Sequence, residues 1–298
     1  ADADNSIDIL QLAGSTHVFQ FMKMLGESLA RRTLGMSMGA NIIGRFDELL
    51  IAEAPAMRTP LEGKTLIQSN LRKKTGVTVV GLWERGRFEI PQPETLINST
   101  TVLLLAGSAE QLKKYDEVFS IYHVYNTADA PVLILGGGRV GRAAANILEE
   151  RKIDYKVVEK SQKFIQNEHY IQGNAADLET LHQAGIKNAS SVIITTHDDS
   201  MNIYLTIYCR KLRSDIQIIS RANLDGNISK LHSAGADLVM SHASMGANTI
   251  INLLKPDKIL MVAEGLNVFR ASVGKSLAGK SLAESQIRKQ TGCSVIAI

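Results

Sequence analysis

Past residue 131, short unbroken apolar runs alternate with stretches whose apolar positions recur every three or four residues. Val132–Leu135, Tyr155–Glu159, 169–172, 192–195, 216–220 and 237–240 have the length and the β-branched content of buried strands. Between them, helical spacing is expected over a segment opening at Arg139 and over 178–184, 201–212, Ile228–Ala234 and 245–254. Strands that alternate with helices in this way predict an α/β fold with a doubly wound parallel sheet.

The earlier part of the chain has another rhythm. Asp2, Asp4, Asn5 and Ser6 stand before Ile7, Ile9, Leu10 and Leu12, predicting a short helix that stops at Gly14. A strand is expected over 17–19. Phe21, Met22, Leu25 and Leu29 then fall on one helical stripe, closing near Arg31, Arg32 and Gly35. From Leu49 the pattern predicts a strand over 49–52, a turn over 55–63 and an amphipathic helix carrying Leu66, Ile67 and Leu71. A strand over 77–83, a hairpin turn at Glu84, Arg85, Gly86 and Arg87, a loop holding Pro91 and Pro93, a strand over 102–105 and a helix over 109–118 follow. These elements make a small α+β domain over 45–118, followed by a linker over 119–130 and a complete α/β domain over 131–256.

The remaining segment, 257–298, repeats the small domain. Gly63-Lys64-Thr65-Leu66 answers Gly279-Lys280-Ser281-Leu282, and Arg72-Lys73-Lys74-Thr75-Gly76 answers Arg288-Lys289-Gln290-Thr291-Gly292, each pair 216 positions apart. Ala13-Gly14 answers Ala234-Gly235 at 221 positions. A repeat this long is a tandem domain duplication. On that reading 1–44 is the end of a first α/β domain, and 257–298 begins a second small domain. The chain opens at Ala1 without Met and in mid-pattern, as a piece of something longer would.

Composition narrows the partners. Among 298 residues, 33 Lys and Arg against 30 Asp and Glu give a formal charge of +3, without blocks of like sign, so nucleic acid is not expected as a partner. The two cysteines, Cys209 and Cys293, have no C-x-x-C spacing and are expected to be reduced in a cytosolic compartment. No run reaches the roughly 18 apolar residues of a membrane span, so any spanning part lies elsewhere.

The chemistry gathers at Gly136, Gly138 and Gly141, which have G-x-G-x-x-G spacing between a strand and a helix. The first glycine makes the turn, the second admits a pyrophosphate, and the third lets helix and strand pack closely. Arg139 and Val140 open the helix, whose free N–H groups and positive dipole end suit phosphate. Glu159, 23 residues beyond Gly136 at the end of the second strand, is placed to accept the ribose hydroxyls of NAD(H) or an adenosine nucleotide and to repel a 2′-phosphate. Three further strand ends offer candidates. Asn174 either walls the adenine or forms a turn. Thr195 and Thr196 either face the ligand or begin a capping series with Asp198 and Asp199. Arg221 either reaches phosphate or is a surface cation. The run His197-Asp198-Asp199 lacks distant companions and is expected to cap a helix, not to hold a metal. An NAD-dependent oxidoreductase is the alternative function, with His197 as its acid or base, yet no Tyr is followed by Lys four residues on and no substrate domain of size is evident. A purely structural assembly module is a third.

The stretch 134–141, Val157-Val158-Glu159, Gly173-Asn174-Ala175, the run 192–196 and the twin Gly-Lys-Thr/Ser-Leu motifs together resemble the RCK family, regulators of K+ conductance built from TrkA-N and TrkA-C domains. The likeness covers nearly the whole chain. It implies a Rossmann-type sheet with TrkA-C-like small domains, and a non-catalytic sensor at the cytosolic face of the cell membrane serving a potassium channel or transporter pore. It also implies homo-oligomers of paired domains in a ring, and NAD(H), ADP or ATP as regulatory ligand. By this likeness Gly136, Gly138, Arg139, Val140, Gly141, Glu159, Asn174, Thr195, Thr196 and Arg221 line the nucleotide site, and the helix over 245–254 is the crossover helix through which partner domains pair. The family's usual Gly-Asp before the final small-domain strand is replaced here by Asn98-Ser99-Thr100.

Overall fold

The computed structural model describes residues 5–38, 40–57, 59–85, 87–120, 130–254, 259–263 and 266–297. Most of the expected linker, 119–130, lies outside these residues, as does Gly86 of the expected hairpin turn. In chain order the elements are α1 (Asn5–Leu12), α2 (Phe21–Met38), β1 (Asn41–Phe46), β2 (Leu49–Pro55), α3 (Leu66–Ser69), α4 (Leu71–Thr75), β3 (Thr78–Glu84), β4 (Arg87–Glu89), β5 (Thr101–Gly107) and α5 (Ala109–Tyr115), then a π-helical turn (Asp116–Ser120). There follow β6 (Val132–Leu135), α6 (Arg139–Glu150), β7 (Tyr155–Glu159), β8 (Tyr170–Gln172), α7 (Leu178–Gln183), β9 (Ser191–Ile194), α8 (Asp199–Leu212), β10 (Gln217–Ala222), α9 (Ile228–Ala234), β11 (Leu238–Ser241) and α10 (His242–Leu254). The last are β12 (Ile259–Ala263), β13 (Leu266–Phe269), α11 (Leu282–Ser285) and α12 (Ile287–Thr291).

The chain forms two compact units. One holds residues 1–38, 84–87 and 122–247. Its six strands run in the order β11-β10-β9-β6-β7-β8, with every neighbouring pair parallel. Counted from β6, this is the doubly wound order 3-2-1-4-5-6, whose crevice opens where the order reverses, between β6 and β9. One face of the sheet buries Leu133, Leu135, Ile194 and Ile218 against Leu181 of α7, Leu205 and Cys209 of α8 and Leu231 of α9.

Helix α2 packs on α6 and approaches β9 and β10. The crossing is close because Gly26 stands in it. A Cβ at that position would lie 2.2 Å from the Val140 carbonyl oxygen and 2.7 Å from the Ala143 Cβ. Leu25, Leu29 and Ala30 on the same helix are fully buried. Helix α2 runs on to Met38, past Arg31, Arg32 and Gly35, where the sequence predicted its end; a glycine costs a helix only about 1 kcal/mol.

The expected strand over 17–19 is absent. The alternating His17, Phe19 and Phe21 imitate strand periodicity, but their rings stack on one another at 6.3 and 5.7 Å and lead into α2. Phe21 then sets its edge against His242 at 5.9 Å. These two residues begin α2 and α10, 221 positions apart, the offset that separates Gly14 from Gly235. The two helices at equivalent positions therefore meet at their N-terminal ends, and it is the earlier one, α2, that lies on α6.

The other unit holds residues 39–83, 88–121 and 248–298. Its five-stranded sheet has the order β1-β2-β5-β3-β4, with β1–β2 and β2–β5 antiparallel. Leu50, Ala52, Leu61, Leu71, Leu82, Leu103, Leu105, Leu112 and Tyr115 form its core. β1 had no clear signal, since Gly44 and Arg45 break the apolar run and the pairing itself shifts register between Ile42 and Gly44. The single helix expected around Leu66 and Leu71 is two, separated by Asn70 in left-handed geometry at φ 50°. Asn98-Ser99-Thr100 make a turn in which Asn98 N donates to Thr101 Oγ1 at 2.8 Å and Thr101 N to the Asn98 carbonyl at 3.1 Å.

The duplication is geometric as well as textual. Thr65 and Gln68 form a capping box on α3, as Ser281 and Glu284 do on α11. Asn70 (φ 50°) corresponds to Gln286 (φ 47°), and Gly76 (φ 83°) to Gly292 (φ 72°). Ser69 and Ser285 each donate to a carbonyl three residues back at 2.6 Å. The same short code has folded twice into the same local shape.

Two outcomes follow from this packing. Gly26→Leu is expected to lower stability by about 1–3 kcal/mol through overpacking of the α2–α6 crossing, measured by urea unfolding; an unchanged midpoint refutes the close crossing. Asp116, whose Oδ1 accepts from Ala40 N at 2.7 Å, has its pKa pushed up to about 6, chiefly by burial, with Glu117 adding to it and the Ala40 N–H opposing. Because the folded-state value lies above the unfolded one, ionisation opposes folding: the penalty is absent near pH 3, develops as pH rises from the ordinary value of 3.8 to about 6, and is fully present above that. Asp116→Asn should therefore gain about 1 kcal/mol over wild type at pH 7, a figure reduced for the group's partial exposure, and nothing at pH 3. An equal difference at both pH values contradicts this.

Candidate functional site

The site begins at the carboxyl end of β6. Gly136 turns the chain at φ +113° while its N–H donates to Val158 O at 2.9 Å. Gly141 then passes so near that a Cβ there would lie 1.9 Å from the Gly136 carbonyl oxygen. Thr195, buried at the end of β9, donates from Oγ1 to the Gly136 carbonyl at 2.8 Å and contacts the Leu135 carbonyl at 3.2 Å. It braces the turn across the switch point between β6 and β9. Helix α6 starts immediately after Gly138, and no side chain caps its N-terminus.

Gly138 differs from its neighbours. Its backbone is extended, φ −67° and ψ −168°, and a Cβ there would meet nothing within 4 Å. No protein atom requires glycine at this position, whereas a phosphate lying against the turn would. Arg139, exposed, is the first residue of α6. Val140 is 2% exposed, so its side chain faces the interior and only its backbone N–H is offered to the turn.

Glu159 ends β7 beside the turn. Its Oε2 accepts from Gly137 N at 2.6 Å and its Oε1 from Ser161 N at 2.8 Å. Two backbone donors thus hold the carboxylate in place, and each oxygen retains a further acceptor position for a ribose hydroxyl. Gly137 was not among the expected site residues, yet a Cβ on it would press on Glu159 and Tyr170, each at 3.0 Å. The unbroken run of three glycines was the available signal.

The remaining candidates are less uniform. Asn174 Oδ1 accepts from Ala176 N at 3.1 Å, making the turn after β8. Thr196 donates from Oγ1 to Asn202 Oδ1 at 2.6 Å and lies at the start of the α8 loop. Asp198 caps α8 by accepting from Ser200 N at 2.8 Å, the role expected for this run. Asp199 accepts from Asn223 N and Nδ2, Leu224 N and Asn227 Nδ2, at 2.8 to 3.0 Å. Burial alone would raise its pKa, but these donors outweigh it and the carboxyl titrates below its ordinary value. Arg221 was expected just past its strand; it lies inside β10, whose pairing with β11 extends to Ala222, and is 8% exposed.

Asn202 is a residue that sequence reasoning missed. It is fully buried, donates from Nδ2 to the Thr196 and Arg221 carbonyls, both at 3.1 Å, and so ties the end of β9 to the end of β10. Its signal was periodicity, since 202, 205, 206 and 209 fall on one helix face.

A parallel sheet in this strand order, a glycine turn braced at its switch point and an acid at the end of the next strand define a Rossmann-type nucleotide-binding class of domain. Residues 132–242 match the family model of the TrkA-N domain, and residues 54–120 that of the TrkA-C domain. The chain belongs to the RCK family, whose members combine these two domains. Potassium channel protein 1 of Methanocaldococcus jannaschii is 27% identical over 181 residues, 56% of this chain and 54% of that protein. The Trk system potassium uptake protein TrkA homolog of Archaeoglobus fulgidus is 22% identical over 238 residues, 76% of this chain and 53% of that one. The structure of the GsuK channel is 37% identical and superposes with a TM-score of 0.67, covering 99% of this chain and 53% of the channel chain. The GsuK channel bound to NAD gives 0.63 at the same identity and coverage. The chain spans about half the length of these relatives, which are potassium channel and potassium uptake proteins. No described helix is long and apolar enough to cross a membrane.

Gly141→Ala and Gly138→Ala make a paired test of the turn. The first is expected to destabilise by about 2–3 kcal/mol because the Gly136 carbonyl must move, and the second by well under 1 kcal/mol because its Cβ enters open space. Thermal unfolding checks both; equal losses would show that the close approach is not as described.

Proposed function

We propose that this chain is a cytoplasmic ligand-sensing, regulatory region of a potassium channel or transporter, acting at the inner face of the membrane and assembling as homo-oligomeric pairs in a ring. Its ligand is NAD(H) or an adenine nucleotide, held at the carboxyl edge of the parallel sheet. The observation that carries the reading is the glycine turn: an open cradle at Gly138, uncapped N–H groups at the start of α6, and Glu159 fixed beside it by two backbone donors. The kinship with potassium channel and TrkA proteins supports the regulatory role, and the GsuK channel bound to NAD supports the ligand class.

The residues divide the work. Gly138, Arg139 and the Val140 N–H face the phosphates; Glu159 takes the ribose hydroxyls; Asn174 borders the adenine. Thr195, Thr196 and Arg221 line the far side of the crevice, the threonines largely by fixing backbone. Binding acts by stabilising one arrangement of the domains over another, and that differential free energy, commonly about 1–3 kcal/mol, biases the attached pore.

Calorimetric titration with NAD(H), NADP(H), ADP and ATP tests the reading. At least one of NAD(H), ADP or ATP should bind, NADP(H) should bind at least about tenfold more weakly than NAD(H) because its 2′-phosphate meets Glu159, and Gly138→Leu should abolish binding while leaving the melting temperature nearly unchanged. A protein that binds none of them defeats the proposal.

A further inference from the structure

The two halves of the parallel sheet end differently. In the half made by β6, β7 and β8, the helix after the first strand starts from a glycine turn without a side-chain cap. In the half made by β9, β10 and β11, the corresponding helix is α8, and its start is closed. Asp198 caps it, and no glycine stands between Ile194 and Asp199. Asp198 and Asp199 already supply the negative charge that a helix N-terminus attracts, so this half does not repeat the phosphate cradle.

The first turn of α8 instead joins two loops. Thr196 donates from Oγ1 to Asn202 Oδ1 at 2.6 Å, and Asn202 Nδ2 donates to the Thr196 and Arg221 carbonyls, each at 3.1 Å. Three residues earlier, on the same side of the helix, Asp199 accepts from Asn223 N and Nδ2, Leu224 N and Asn227 Nδ2. Asn223 Nδ2 also donates to the His197 carbonyl at 2.8 Å. The loop after β9, residues 195–198, and the loop after β10, residues 223–227, are thus tied to one helical turn and to each other. That turn is itself anchored, because Leu205 and Cys209 of the same helix are in the core. Asn202 is fully buried with both amide hydrogens used, so it acts on its surroundings only through the backbone it holds.

Loops at the carboxyl edge of such a sheet are ordinarily its adjustable part, and a ligand that must order them binds less tightly. We propose that Asn202 and Asp199 are positioning residues for a dinucleotide: they fix these two loops in advance as a single wall, and that wall sets the affinity for the ligand's second nucleoside. The inference rests on the nucleotide reading above. In a sheet of this order each half takes one mononucleotide, so an adenosine held at Glu159 leaves the second nucleoside to the loops after β9 and β10. NAD and ADP differ in that part alone. They share the adenosine and the diphosphate, and only NAD continues into a second ribose and its base.

The test compares wild type, Asn202→Ala and Asp199→Asn in the full chain, by calorimetric titration with NAD and with ADP and by hydrogen exchange at the Asn223 and Leu224 amides. Each variant is expected to lose at least about tenfold in NAD affinity, to keep its ADP affinity within about twofold, and to exchange faster at both amides. A general loss of stability would weaken the two ligands alike, so the ratio of affinities separates positioning from a purely structural role. Equal losses for NAD and ADP overturn the proposal, as do an unchanged NAD affinity, unchanged exchange in both variants, or a wild type that binds ADP and not NAD; each of these leaves the nucleotide reading standing. A wild type that binds neither ligand defeats that reading and this inference together. Should Asn202→Ala not fold, Asp199→Asn carries the test, since Asp199 is only half-buried and an amide group there replaces one accepting oxygen.

Discussion

The structure of the parallel-sheet unit depends on how closely strand β6 and helix α6 approach. Without a side chain at 141, the helix starts almost on top of the Gly136 carbonyl, and without one at 137 the turn lies flat against Glu159 and Tyr170. This brings the N-terminal end of α6, which no side chain caps, to the carboxyl edge of the sheet, at the point where the strand order reverses. Thr195 closes the arrangement from the other side of the crevice. A bulkier residue at 136, 137 or 141 would push helix from strand and turn the dipole away from the edge where a ligand is expected.

The same economy of side chains recurs one layer out. Gly26 lets α2 lie on the small residues of α6, so the helix that begins at the glycine turn is itself covered by an earlier segment of the chain. A helix packed at backbone distance has few intermediate positions, because dense interiors resist gradual deformation. A displacement at the start of α6 would therefore be felt by α2.

Much of this was legible in the residues. The strand–turn–helix at 132–150 was visible from an apolar run, three glycines and a helical stripe. The parallel sheet followed from alternation, and the duplication from paired motifs whose capping boxes and left-handed residues the structure repeats. Local interactions carry such features: caps, positive φ angles and period-two or period-3.6 burial are all written within a few residues of one another. Where local pattern conflicted with long-range contact, it misled. His17, Phe19 and Phe21 alternate like a strand but stack as rings, β1 needed β2 beside it, and α2 runs through Gly35, which locally reads as a stop.

The site divides along the same line. Which residue types stand at the turn, and that an acid follows one strand later, was settled by the order of amino acids, since glycine geometry and strand length are local properties. Which of the candidates face a ligand was not. Thr195 and Thr196 spend their hydroxyls on protein partners, Val140 turns inward, Asn202 joins two strand ends from within a helix, and Arg32, distant in the chain, comes to lie beside the strand of Arg221. Such roles arise when the strands are laid in the order 3-2-1-4-5-6 and α2 closes over them. Side-chain direction and partnership across 200 residues depend on the folded sheet, and no pattern in the sequence specifies them in advance.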